Sequence, residues 1–273
     1  VKMHSSSSQV LAPQNLITLG NLACGVAAIL LCIVGIVEKD PSRFFAAAWW
    51  LVLAEFLDGV DGKIARMTGT ASPLGAQLDS LADAVTFGVA PGILVFSMWH
   101  YFTVVTGQFA LNLHPRLLMV APIVYSACAV LRLARFNVDH EEDDLRKENV
   151  RFVGLPSPGA AGMPISMVLL FFGIGEIKFF DVSSDLVLRI QEIMLYTMPL
   201  MLVLMGVLMV SRVPFPHFFA WMTRSERPVA TLAKFIFMFG FMCLEPEACL
   251  FLFSCCYTLV PIITQFLPSR RIA

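Results

Sequence analysis

Charged residues are scarce in this chain. Of its 273 residues only 14% are charged and 58% are hydrophobic, and the mean hydropathy is +0.76. A typical soluble domain carries about 25% charged residues, so the composition excludes a soluble globular enzyme and a disordered chain. The formal net charge of -1 leaves no excess of positive charge to bind a nucleic acid. An integral membrane protein remains.

The pattern of the cysteines and the absence of internal repeats argue against further classes of protein. The seven cysteines are odd in number, lie mostly in apolar runs and lack the paired spacing of zinc ligands, which argues against a disulfide framework or a zinc site. No motif recurs at a fixed period, as it would in a transporter built from two recognisable inverted halves.

Long apolar segments occupy most of the chain. A helix needs about 20 mostly apolar residues to cross a bilayer, because its backbone polar groups must be satisfied internally. The sequence predicts eight such spans, at residues 15–37, 43–57, 78–101, 116–135, 158–180, 190–210, 229–244 and 248–267. The seventh is the weakest, because Lys234 and Glu245 leave only a short uncharged stretch between them.

Lysine and arginine are distributed unevenly between the two sides of this predicted bundle. The side that holds both termini carries 14 of the 19 basic residues, and the other side carries 5. Since an excess of Lys and Arg marks the cytoplasmic side, we expect a multi-pass inner-membrane protein with both termini in the cytoplasm. The longest polar stretch, residues 137–151, is predicted to be a solvated cytoplasmic loop.

Four aspartates depart from the apolar pattern of the predicted helices. Asp58 and Asp61 are three residues apart at the cytoplasmic end of the second span, and Asp79 and Asp83 are four apart at the start of the third. Each spacing places its pair on one helical face. The breakers in residues 68–73 predict a hairpin that brings the two faces together.

Four converging carboxylates repel one another unless a counter-charge is bound. Sites made only of oxygen ligands suit Mg²⁺ or Mn²⁺, and a pair of such ions can hold a pyrophosphate during an in-line displacement. Gly62, Ala65 and Gly75 leave room for a nucleotide, and Arg66 offers a bidentate donor to a phosphate. Helix capping, or salt bridges to Lys63 and Arg66, would explain one pair of acids but not four.

The same residues form a known pattern. The run Asp58-x-x-Asp61-Gly62-x-x-Ala65-Arg66, then eight residues, then Gly75-x-x-x-Asp79-x-x-x-Asp83 resembles the full signature of the CDP-alcohol phosphotransferases. The resemblance implies an all-α integral membrane fold with a six-helix catalytic core. The two C-terminal transmembrane helices, which the apolar segments predict, lie outside the resemblance. The corresponding segments are a cytoplasmic tail (1–14), the catalytic membrane domain (15–212), a cytoplasmic connection (213–228) and a helical hairpin with its tail (229–273).

The resemblance also implies roles for individual residues. Asp58, Asp61 and Asp79 would bind two divalent cations, Mg²⁺ or Mn²⁺, while Asp83 would bind the second cation and act as the base on the acceptor alcohol. The residues implied to contact the CDP moiety are Gly62, Ala65, Arg66 and Gly75, with Ser72 as a further candidate.

Four other stretches, within residues 13–25, 86–91, 132–137 and 152–161, resemble the phosphatidylserine synthase branch, whose substrates are CDP-diacylglycerol and L-serine. Serine is a zwitterion, so its pocket needs a cation for the carboxylate and acceptors for the ammonium group. Arg132 or Arg135, with Asn137, is predicted to bind the carboxylate. Alternatively, both arginines are topology anchors on the cytoplasmic side.

Several alternatives stay open at this point. Another acceptor (glycerol phosphate, inositol phosphate or choline) would leave the aspartates unchanged. An intramembrane prenyltransferase also uses aspartate-bound Mg²⁺, but it normally carries two acid motifs on distant helix pairs. A divalent-cation transporter would give the small residues and Arg66 no role. Finally, Gly88 and Gly92, four residues apart, are typical of close helix contacts, either within the bundle or between the protomers of a homodimer.

Overall fold

The computed structural model describes residues 13–68, 72–109, 115–146, 154–175, 183–213, 215 and 240–266, and every regular element in these ranges is helical. The long helices are α1 (Pro13–Glu38), α2 (Ser42–Thr68), α3 (Pro73–Val105), α4 (Val120–Arg146), α5 (Ser157–Gly173), α6 (Ser184–Val210) and α7 (Pro246–Phe266). A short helix, Pro115–Leu118, precedes α4. By length and composition α1, α3, α6 and α7 can each cross a membrane, which confirms the all-α membrane fold.

The helices follow the predicted spans, with corrections at their ends. The first six spans correspond to α1–α6 and the eighth to α7, while most of the seventh lies outside the described residues, so the total of eight stays a prediction. The fifth span was expected to reach residue 180, but α5 ends at Gly173, where two glycines lie close together (Gly173 and Gly175) and disfavour a helix.

The predicted loop at residues 137–151 is wrong over its first ten residues, because α4 continues to Arg146. No glycine or proline interrupts residues 137–146, and glutamate, leucine and arginine are good helix formers. Hydropathy marks where the apolar segment stops, and a helix with these residues extends beyond that point. Residues 147–151 lie outside the described part of the chain.

A tight turn joins α1 to α2 at the end of the hairpin remote from the aspartates. Lys39 adopts a positive φ of 56°, and the Asp40 amide donates to the carbonyl of Gly35 (3.0 Å). The Ser42 hydroxyl and amide both donate to the Asp40 carboxylate, and these hydrogen bonds lower the pKa of Asp40 below its ordinary value. Arg43 completes the turn with ion pairs to Glu38 and Asp40.

The central helix of the bundle is α3, which packs against α1, α2, α4, α5 and α6. Glycines let it approach its neighbours closely. A Cβ atom on Gly25 of α1 would lie 2.5 Å from Thr86 Oγ1, and one on Gly92 would lie 3.0 Å from Pro122 Cβ in α4. Gly88 likewise faces Ala129 of α4. Gly88 and Gly92 therefore serve packing within the bundle, and the homodimer stays a prediction.

Directly after Asp83, α3 widens into a π-helical segment, Ala84–Val89. Pro91 accounts for the widening, because proline has no N–H to donate to the carbonyl of Phe87 and its ring crowds that carbonyl. The buried Tyr125 hydroxyl of α4 donates to Phe87 O instead, at 2.8 Å. The distortion next to Asp83 is thus held in place by a hydrogen bond from the neighbouring helix.

Candidate active site

Three aspartates of the predicted hairpin converge. Asp58 and Asp61 lie on α2, Asp79 lies on α3, and each offers a carboxylate oxygen so that the three oxygens lie within 4.8 Å of one another. Asp83 is outside this trio, but its carboxyl group is within hydrogen-bonding reach of Asp58. The helical spacing of each pair, together with the break between Thr68 and Pro73, produces this arrangement.

Two polar residues of α1 hold the carboxylates in position. The Thr18 hydroxyl donates to Asp61 Oδ2 at 2.9 Å, and the Asn21 amide donates to Asp83 Oδ1 at 3.4 Å. Thr18 and Asn21 are both buried. Neither was predicted as a site residue, although Asn15, Thr18 and Asn21 recur at every third position of an otherwise apolar helix, which is a usable signal.

The donor set suits a hard divalent cation. All three converging groups are carboxylates, and Asp79 Oδ1 is buried and accepts no hydrogen bond from any residue that the structure describes. The only ion pairs among the described residues are those of Arg43, which lies about 22 Å along α2 from Asp58 at 1.5 Å per residue. The cluster therefore has converging oxygen ligands, and one of them is a buried oxygen that receives no hydrogen bond from the described residues. A Mg²⁺ or Mn²⁺ site requires oxygen ligands of this kind.

Ser72 and Gly75 shape the start of α3. Ser72 is the N-cap residue, and its hydroxyl oxygen accepts a hydrogen bond from the Gly75 amide at 3.1 Å. A Cβ atom on Gly75 would lie 3.0 Å from Gln14 Nε2 and 3.1 Å from Asn15 Oδ1. Gly75 therefore allows α1 to approach α3 closely. The sequence predicted a contact of Gly75 with CDP and did not indicate this packing role.

The other residues implied for the CDP moiety lie near the end of α2. Gly62 is exposed, and a Cβ atom there would meet no described atom within 4 Å, so the backbone borders open space next to Asp61. The backbones of Ala65 and Arg66 belong to α2, but their side chains lie outside the described part of the structure.

Among the predicted acceptor residues, Arg132 faces the aspartates. It interacts electrostatically with Asp83 and Asp58, and its Nη1 atom donates to the hydroxyl of Ser157 at the start of α5. The guanidinium group also lies 5.5 Å from the centroid of the Phe136 ring, in a cation–π contact. Arg132 is thus a fixed positive charge beside the carboxylate cluster.

Arg135 and Asn137 fasten α4 to its neighbours. The Arg135 Nη1 atom donates to the carbonyl of Val210 at the end of α6 (3.4 Å). The Ser80 hydroxyl of α3 donates to Asn137 Oδ1 at 3.1 Å. Both contacts position the end of α4 that carries Arg132.

The C-terminal helix also reaches the site, although the sequence suggested no role for it. Tyr257 of α7 is buried and lies near Arg132. A Cβ atom on Gly159 of α5 would lie 2.6 Å from Tyr257 Cε1, so the two helices touch at this point. A single tyrosine in an apolar helix is too weak a signal to predict this contact.

Comparison with known proteins agrees with this site. A family model described as CDP-alcohol phosphatidyltransferase matches residues 11–215. Relatives named CDP-diacylglycerol–serine O-phosphatidyltransferase occur in Helicobacter pylori (31% identity over 192 residues, 70% of this chain and 69% of the relative) and Bacillus subtilis (31% over 203 residues, 74% and 89%). A third, from Methanocaldococcus jannaschii, is 29% identical over 214 residues, 78% of each chain. Because the family model covers most of the chain and the whole aspartate hairpin, the chain belongs to the CDP-alcohol phosphatidyltransferase family.

Proposed function

We propose that this protein transfers the phosphatidyl group of CDP-diacylglycerol to the hydroxyl of L-serine, giving phosphatidylserine and CMP. The observation that carries the proposal is the convergence of the Asp58, Asp61 and Asp79 carboxylates within 4.8 Å, with Asp83 against Asp58 and Arg132 beside them. The family membership supports the donor, and the names of the three relatives support serine as the acceptor.

The cofactors are two divalent cations, Mg²⁺ or Mn²⁺. Asp58, Asp61 and Asp79 would hold them, and Asp83 would contribute to the second. When bound, they supply positive charge that binds the donor pyrophosphate and stabilises the oxygens of an in-line displacement. Thr18, through its 2.9 Å hydrogen bond, fixes the carboxylate of Asp61 in the orientation needed to ligate.

Asp83 is the general base. It accepts the proton of the serine hydroxyl while the hydroxyl oxygen attacks the phosphorus that carries the diacylglycerol, and the bond from this phosphorus to the CMP oxygen breaks. The Asn21 amide donates to Asp83 Oδ1 and orients the carboxylate that receives the proton. Arg66 offsets the negative charge on the departing CMP.

The remaining site residues bind the two substrates. On the donor side, Gly62, Ala65 and Gly75 give the CDP moiety access to the helix backbones, and the Ser72 hydroxyl donates to a phosphate. Arg132 binds the carboxylate of serine, because it is a fixed cation next to Asp83 and Asp58. Arg135 and Asn137, which attach α4 to α6 and α3, assist in the same pocket.

The protein lies in the inner membrane, and its catalytic domain, residues 15–212, opens to the cytoplasm. This orientation follows from the 14 basic residues on that side against 5 on the other. The lipid donor enters sideways between helices, and serine arrives from the cytoplasm, because the aspartates lie at the predicted cytoplasmic ends of α2 and α3.

An acceptor screen tests the proposal. Purified protein is given CDP-diacylglycerol, Mg²⁺ or Mn²⁺ and one acceptor at a time: L-serine, glycerol phosphate, inositol phosphate or choline. Of the four acceptors, we expect only serine to give CMP release, and we expect no release after the cation is chelated. CMP release with a different alcohol and none with serine would leave the family intact and refute the acceptor. Absence of CMP release with every acceptor would refute the proposed transfer of the phosphatidyl group.

A further inference from the structure

A fifth acidic residue lies within the same helix, outside the family signature. Glu55 is in the middle of α2, three residues before Asp58, and therefore on the same face one turn away. Its Oε1 atom is buried and accepts no hydrogen bond from the described residues. A carboxylate in a membrane helix is costly unless it has a partner, and such residues are usually functional.

The Glu55 carboxylate lies where α2, α5 and α7 meet. A Cβ atom on Gly162 of α5 would be 3.4 Å from Glu55 Oε1 and 3.4 Å from the hydroxyl oxygen of Ser254 in α7. The two oxygen atoms therefore both border the bare backbone of Gly162 and lie no more than 6.8 Å apart. One turn further along α7, the buried Thr258 hydroxyl has no hydrogen-bond partner among the described residues. The junction therefore holds two buried oxygen atoms, Glu55 Oε1 and Thr258 Oγ1, that make no hydrogen bond with any described residue.

The described residues provide no cation for this carboxylate. Their ion pairs are those of Arg43 with Glu38 and Asp40, at the start of α2. Arg132 is directed to Asp83, Asp58 and Ser157. A primary ammonium group has three donors and no acceptor, so it complements a carboxylate flanked by hydroxyl oxygens.

We infer that Glu55, assisted by Ser254, binds the ammonium group of the acceptor amino acid, an inference that rests on the proposed function. Neighbouring residues on one helix face are about 5–6 Å apart at Cβ, a separation that a molecule of the size of serine can bridge. The acceptor is then held at three points. Asp83 receives the hydroxyl proton, Arg132 binds the carboxylate and Glu55 binds the ammonium group.

The inference gives α7 a role in the reaction. This helix, Pro246–Phe266, follows the last residue matched by the family model, residue 215. Ser254 nevertheless lies near Glu55, which would bind the ammonium group of the acceptor. Tyr257 lies near Arg132, which would bind the carboxylate of the acceptor. The C-terminal helix thus completes one wall of the acceptor pocket.

The test compares Glu55→Gln, which keeps the shape and removes the charge, with wild-type protein. Serine-dependent CMP release gives the KM for serine, and 3-hydroxypropionate, which is serine without its amino group, is measured as a competitive inhibitor. We expect Glu55→Gln to raise the KM for serine about ten- to a hundredfold, the effect of losing a charged hydrogen bond. The Ki of 3-hydroxypropionate and the KM for CDP-diacylglycerol should stay unchanged.

Glu38→Gln is the matched control, because Glu38 makes an exposed ion pair with Arg43 at the far end of α2. An unchanged KM for serine in Glu55→Gln overturns the inference, and so does an equal rise in the Ki of 3-hydroxypropionate. If Glu55→Gln yields no folded protein, Ser254→Ala decides: it must raise the KM for serine severalfold without changing that Ki. Wild-type protein that does not use serine refutes the proposed function, and the inference falls with it.

Discussion

Replacing Thr18 by valine removes a single hydroxyl group from the support of the aspartate cluster. Thr18 is 4% exposed, and its Oγ1 atom lies 2.9 Å from Asp61 Oδ2. Valine is also β-branched, so it keeps the preferred side-chain rotamer in a helix and fills nearly the same volume. The variant therefore removes the hydrogen bond to a carboxylate that we assign as a cation ligand, together with the contact that the same hydroxyl makes with the Gln14 carbonyl of its own helix at 3.1 Å.

The expected effect on cation binding follows from the negative charge of the Asp61 carboxylate, which accepts the hydrogen bond. A hydrogen bond to a charged group contributes about 1.5–3 kcal/mol. At about 1.4 kcal/mol per factor of ten, this corresponds to roughly a 10- to 150-fold change in an equilibrium constant. Loss of a residue that orients a metal ligand typically lowers metal affinity by about 10- to 100-fold. We therefore expect Thr18→Val to raise the half-saturating Mn²⁺ concentration about 10- to 100-fold.

The assay is a Mn²⁺ titration of CMP release at saturating CDP-diacylglycerol and serine. Thr197→Val is the matched control, because the Thr197 hydroxyl bonds only to carbonyls of its own helix, those of Ile193 and Met194, in the described structure. The control should titrate like wild type. If the Mn²⁺ requirement of Thr18→Val stays within twofold of wild type, Thr18 does not orient a cation ligand and the role assigned to its hydroxyl is wrong.

Three further predictions concern the acceptor, the fold and the orientation. Arg132→Ala should reduce the preference for serine over ethanolamine by more than about a hundredfold, since a buried charge that loses its partner costs about 3–5 kcal/mol; an unchanged preference makes Arg132 a topology anchor. Tyr125→Phe leaves Phe87 O without its 2.8 Å donor and should lower the free energy of unfolding by about 1–3 kcal/mol, measured by denaturant titration in detergent. In a variant without native cysteines, a cysteine at position 112 should react with an impermeant reagent outside intact cells, and one at position 273 should not.

The aspartate cluster was predictable from sequence because it depends on local rules. Spacings of three and four residues fix the face of a helix, and the break before Pro73 fixes the hairpin. The two halves of the cluster lie close along the chain. The same rules located the apolar part of α4, but they could not locate its end at Arg146, because hydropathy reports burial in lipid and not helix propensity.

Contacts between segments that are distant along the chain could not be predicted from the sequence. Thr18 and Asp61 are 43 positions apart, and nothing in the local pattern of either residue identifies the other. Glu55 and Ser254 are further apart still. The sequence also could not separate Arg132 from Arg135, because both lie on one helical face. The structure separates them by their neighbours: Arg132 faces the aspartates, and Arg135 donates to the end of α6.

The central claim is that Asp83 takes the proton of the acceptor in a site whose other aspartates hold the cations. The most direct test is Asp83→Asn, assayed for CDP-diacylglycerol binding and for single-turnover CMP release with serine. An amide cannot accept the hydroxyl proton, so we predict donor binding close to wild type and a rate lowered about 10²- to 10⁴-fold. Asp79→Ala, in contrast, should lose cation and donor binding together. A near-normal rate of CMP release from Asp83→Asn would contradict the account.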